Sequence, residues 1–168
     1  LLVVSRSLAP VLGVVAAVGL ICASLAIDAA GRPDLVALLE AAAWLLVSLV
    51  IVLVVARAVF AAGEVSYHRV IGAILLYLAI GAIFVSLFIC VGVLVPGSLT
   101  GVTVGGQRSL PSDLVYFSFV TITTVGYGDI TPVHPLARSL CNIEAIFGQL
   151  YPATLLARIV TLEAASKR

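Results

Sequence analysis

Thr123-Thr124-Val125-Gly126-Tyr127-Gly128-Asp129 is a segment of this 168-residue chain in which the backbone itself can act as the chemical group. Glycine at 126 and 128 permits dihedral angles that residues with a β-carbon adopt only under strain. Alternating such glycines with side-chain residues can aim neighbouring carbonyls to one side, which offers oxygen ligands without fixed negative charge. The remaining polar groups are scattered. His68 and His134 have no evident nucleophile or metal-ligand partner, so no enzymatic activity is expected. Cys22, Cys90 and Cys141 lie far apart without a CxxC, which points to neither a zinc site nor a disulfide framework. No cofactor is expected.

Composition decides where such a backbone would work. Hydrophobic residues make up 62% of the chain and charged residues 10%, against roughly 45–50% and about 25% in soluble domains. Mean hydropathy is +1.27. Nine Lys and Arg with eight Asp and Glu cannot supply the surface of a soluble domain this size, so the solvent for most of it is lipid. A net charge of +1 provides no basic stripe, and nucleic acid is not an expected partner.

Four apolar runs are long enough to cross a bilayer about 30 Å thick at 1.5 Å per residue. The first covers about 7–27; it exceeds the apolar core of a cleaved signal peptide and lacks a small-x-small cleavage site. Gly31-Arg32-Pro33-Asp34 breaks the pattern, and the second run covers about 35–62, with Trp44 as an interfacial anchor and Arg57 snorkelling. Residues 63–69 read as a polar hinge, in which His68 is a solvated loop histidine. The third run, about 70–95, stops at Pro96-Gly97. The fourth, about 136–162, is the polar one: Glu144 and Gln149 lie deep in it and must face protein or water, so this helix is expected to line a path.

Between the third and fourth runs, Pro111-Ser112-Asp113 is a helix-start signal. The apolar stretch that follows is about half the length needed to cross, so a helix over about 113–123 is expected to be re-entrant. An even number of spans leaves both termini on one side. Arg6, Arg57, Arg69, Arg158, Lys167 and Arg168 then face that side against Arg32, Arg108 and Arg138 on the other, which makes the termini cytoplasmic and turns the re-entrant segment outward.

Taken in this order, the short capped helix, the TVGYG sequence at 124–128 and the two flanking spans resemble the tetrameric potassium channels of the pore-loop family. The resemblance is residue-specific over 112–129, weaker over the flanking spans and absent from the first two. It implies an all-α membrane protein: four transmembrane helices per chain, with a pore helix and filter between the third and fourth, assembled with three further copies into a homotetramer. Residues 70–168 would form the pore domain, and residues 1–69 an N-terminal two-helix region that packs against it or meets another, regulatory membrane protein. In the family the filter passes potassium, so K+ would be the permeant ion, coordinated at Thr124, Val125, Gly126 and Tyr127, with Gly128 completing the strand. Tyr116 and Phe117 occupy the positions of an aromatic cuff, and Thr123 and Asp129 flank the filter, Asp129 as a hydrogen-bond partner for Tyr116.

The resemblance also marks Gly148 as a candidate gating hinge, with Pro152 one turn later; close helix packing is the other reading of Gly148. Glu144 either sits behind the filter, bonded to a pore-helix group, or approaches the cavity. No span carries the repeating arginines of a voltage sensor. Few residues follow Leu162, so gating by an appended cytoplasmic domain is not expected. The expected function is passive, K+-selective conduction across the cell membrane. The alternatives are a weakly selective cation channel, a potassium-transporter subunit, or a non-conducting membrane sensor.

Overall fold

The computed structural model describes residues 8–28, 31–60, 67–102 and 110–166. Its elements are α1 (Leu8–Asp28), α2 (Pro33–Phe60), α3 (Tyr67–Leu94), β1 (Leu99–Thr100), α4 (Leu110–Ile122), β2 (Thr131–Pro132) and α5 (Pro135–Ser166). Arg6, residues 63–66, Arg108, Lys167 and Arg168, used above for the hinge and the charge count, lie outside the described residues.

Local chemistry accounts for the helix ends. The Gly31 N–H donates to Asp28 O at 3.0 Å, closing α1, and Pro33 opens α2 with Asp34 in the first turn, where a missing N–H costs nothing and a negative charge meets the positive dipole end. Helix α3 starts at Tyr67, ahead of the expected 70, so His68 and Arg69 belong to its first turn and not to the polar hinge. Helix α4 starts at Leu110, ahead of the expected 113. Pro111 and Ser112 are helical, with Asp113 in the first turn. Helix α5 continues through Pro152 to Ser166, beyond the expected 162.

Among the described helices, α1 from Pro10, α2 and α3 are long and apolar enough to cross a membrane, which makes the chain an integral membrane protein. Helix α5 has the length, 32 residues, but is more polar along it. Helix α4 has 13 residues, about 20 Å at 1.5 Å each, and cannot cross.

Small residues bring α1, α2 and α3 together. Ala17, Ala41, Ala43 and Ala73 are buried, and a β-carbon on Gly13 would lie 2.5 Å from Val50 Cγ2. Gly19 meets nothing within 4 Å. Their outer faces carry exposed Val, Leu and Ile in number, as lipid contact requires.

The core that positions the pore-loop segment lies between α3 and α4. Phe84, Phe88, Leu114, Phe117 and Ile130 form it, with Phe88 and Phe117 edge-on at 4.9 Å. Antiparallel β1 and β2 pair Leu99 with Pro132 and Thr100 with Thr131, the two threonine oxygens being 2.7 Å apart. This clasp joins the chain before α4 to the chain after residue 129.

Candidate functional site

The 123–129 segment leaves α4 through a tight set of backbone bonds. Thr124 N–H donates to Thr121 O at 2.9 Å, and Val125 and Gly126 N–H both donate to Val120 O, at 3.0 and 3.3 Å. The strand beyond has positive φ at every second residue: 59° at Thr124, 58° at Gly126 and 80° at Gly128. Two of the three are glycines, for which this region is open. The third is a threonine held there at a cost of roughly 1–2 kcal/mol, which the glycine pattern alone does not disclose.

The Thr124 hydroxyl is held from the opposite helix. Gln149 Nε2 on α5 donates to Thr124 Oγ1 at 3.0 Å. Thr123 Oγ1 instead donates back to Phe119 O at 2.6 Å, which ties it to the end of α4. Thr123, Gln149, Gly148, Pro152, Tyr77 and Ile122 line an open cavity of about 420 Å³ beneath the segment.

At the other end of the strand, Tyr116 Oη donates to Asp129 Oδ2 at 2.7 Å and Ile130 N–H donates to Asp129 Oδ1 at 3.0 Å. The Tyr116 bond, with the backbone bond behind it, holds the Asp129 carboxyl below the usual carboxylate range. The Tyr116 ring stacks parallel to that of Tyr127 at 6.5 Å. Within one chain, therefore, Tyr116 reaches the 123–129 segment, whereas Phe117 packs against Phe88 in the core behind it. Val125 and Tyr127 are 51% and 72% exposed, two large side chains with little cover from their own chain.

Gly148 sits at a close contact between helices. A β-carbon there would lie 1.9 Å from Ile122 O, so α5 meets the last turn of α4 backbone to backbone. Tyr77 Oη donates to the same carbonyl at 3.1 Å, Tyr151 Oη donates to Ala73 O at 2.8 Å, and the two rings stack. Pro152 lies in the continuous α5, where it removes one helical donor. Glu144 is fully buried behind α4, with Oε1 2.5 Å from Ser118 Oγ. Ser118, Tyr77 and Tyr151 carry no sequence signal of these roles: each joins residues 26 or more positions apart.

A helix too short to cross, a segment with left-handed backbone at every second residue and a long helix bonded to both make up the site. Residues 72–164 match the family model described as ion channel, and the chain belongs to that family. It is 39% identical over 56 residues to protein LctB of Geobacillus stearothermophilus, 33% of this chain and 41% of the relative. It is 34% identical over 79 residues to the inward rectifier potassium channel Kirbac3.1 of Paramagnetospirillum magnetotacticum, 45% of this chain and 23% of the relative. Two pore potassium channel c of Oryza sativa subsp. japonica is 33% identical over 88 residues, 52% of this chain and 17% of the relative. The chain thus spans less than half the length of each of these relatives. No solved structure matches it significantly.

Proposed function

We propose that this ion-channel chain is one subunit of a homotetrameric, potassium-selective pore. The observation that carries the reading is the alternation of left-handed residues at 124, 126 and 128 within TVGYG. Alternating handedness turns successive carbonyls toward one side. Rings of carbonyls from Thr124, Val125, Gly126 and Tyr127, with the Thr124 hydroxyl at the inner mouth, then replace the water shell of K+ without fixed charge. Similarity to two proteins named as potassium channels supports the same ion.

What one chain leaves open supports assembly with further copies, and the resemblance to pore-loop channels sets their number at four. Non-helical backbone at membrane depth must be buried in protein or line water. Val125 and Tyr127 are exposed in one chain, and neighbouring copies would cover them while bringing the carbonyl rings together. The C-terminal end of α4 would aim its negative dipole at the cavity. With the termini cytoplasmic, the filter faces outward across the cell membrane, α5 crosses as the inner helix, and α1 and α2 sit at the periphery, where a regulatory membrane protein could meet them.

The test is the reversal potential of purified protein in planar bilayers, with potassium on one side and sodium on the other. Reversal near the potassium equilibrium potential, with barium block, supports the reading. Reversal near zero makes it a weakly selective cation channel, and no current from an assembled tetramer removes conduction.

A further inference from the structure

Three helices meet at one hydroxyl behind the pore helix. Ser118 on α4 is fully buried, with Oγ 3.0 Å from Gly81 O on α3 and 2.5 Å from Glu144 Oε1 on α5. If Glu144 were ionised, both neighbours would be acceptors only, and a serine hydroxyl has one proton to donate. It could serve one of them. Glu144 Oε2 is also buried, with no hydrogen-bond partner among the described residues. Among the described residues, the titratable side chains that lie against Glu144 are Tyr77 on α3 and Cys141 on its own helix, and neither type carries positive charge. An ionised Glu144 would therefore be a buried anion held by a single shared hydrogen bond, the arrangement that proteins avoid most strongly.

We infer that Glu144 is a neutral carboxylic acid in the folded protein, and that its proton completes a relay from Glu144 through Ser118 to Gly81 that fastens the pore helix between α5 and α3. The acid O–H donates to Ser118 Oγ, the Ser118 O–H donates to Gly81 O, and Oε2 remains as an uncharged carbonyl oxygen. Each proton is used once. The relay makes Glu144 a positioning residue. It touches neither the filter strand nor the ion path, but it holds the helix whose last turn binds the filter backbone.

Ionisation would reverse this. The Ser118 proton would turn to the carboxylate, the bond to Gly81 would be released, and the anion would draw water into the three-helix junction. Potassium flux is therefore expected to fall as pH is raised far enough to ionise Glu144 in the wild-type protein, and to show no such fall in Glu144→Gln. The glutamine amide can donate to Ser118 in place of the acid proton. At neutral pH its flux is expected within about twofold of wild type, because one neutral hydrogen-bonding group replaces another of the same shape.

The decisive measurement is infrared absorption of the purified protein in lipid vesicles at neutral pH. A carbonyl stretch of a protonated carboxylic acid is expected in the wild type, lost in Glu144→Gln and shifted in Ser118→Ala. Absence of that band in the wild type overturns the inference, and so does a band that Ser118→Ala leaves unmoved, a comparison that serves even if Glu144→Gln fails to assemble. An alkaline fall in flux retained by Glu144→Gln removes the relay's control of conduction. Only the flux measurements rest on the channel reading: the band present in a protein that passes no potassium leaves the neutral acid standing and sinks the channel.

Discussion

Tyr116 donates its hydroxyl to Asp129 at 2.7 Å while its ring lies parallel to Tyr127, so one residue of α4 holds both the end of the 123–129 segment and the ring two residues before it. Tyr116→Phe removes the bond and leaves the ring stack; Asp129→Asn removes the charge and leaves a weaker acceptor. Both variants are expected to lower K+ flux and the K+ to Na+ permeability ratio. The double variant should be little worse than the poorer single one, because both changes act on one bond. Additive losses in a double-mutant cycle would mean that the two residues act apart.

Gly148 separates packing from hinging. Gly148→Ala places a methyl group 1.9 Å from Ile122 O, a backbone atom that cannot rotate away. The expected result is a loss of stability of about 1–3 kcal/mol, the usual cost of overpacking. Gly19→Ala, where a β-carbon meets nothing within 4 Å, should be neutral or slightly stabilising. Thermal unfolding of the two variants side by side gives the answer. A Gly148→Ala tetramer as stable as wild type, altered only in open probability, would favour the hinge.

Gln149 holds the hydroxyl of the strained Thr124, and Gln149→Leu keeps the bulk while removing the donor. Single-channel K+ conductance is expected to fall with the tetramer intact. Wild-type conductance in Gln149→Leu would show that Thr124 keeps its place without help.

Arg158 on α5 donates to Phe60 O at 3.2 Å and lies 4.9 Å from the centre of the Phe60 ring, which ties the inner helix to the last turn of α2. A half-buried cation over an aromatic ring contributes on the order of 1 kcal/mol. Arg158→Gln and Phe60→Leu should therefore leave assembly intact and shift open probability in the same direction. Opposite shifts would break the link between α2 and the inner helix.

What the residues disclose in advance depends on how far apart in the chain the deciding partners lie. Uninterrupted apolar runs mark α1, α2 and α3 because lipid burial requires nothing from elsewhere. Pro111-Ser112-Asp113 marks α4 because a helix start is a local event. The polarity of α5 is visible too, as Glu144 and Gln149, but what those side chains touch is not. Ser118 and Thr124 lie on a different helix and strand, and no periodicity records the pairing. The clasp of β1 and β2 escapes for a similar reason: two residues on each side are too few for an alternating pattern. Thr124 is the plainest case. Its type argues against a left-handed backbone, and only the bonds around it, from Thr121, Val120 and Gln149, explain why it adopts one.

The clasp between Leu99-Thr100 and Thr131-Pro132 also bears on engineering. Beside it, a β-carbon on Gly101 would lie 1.9 Å from Asp129 O, so a side chain introduced at Gly101 would push the two paired stretches apart just where the 123–129 segment ends.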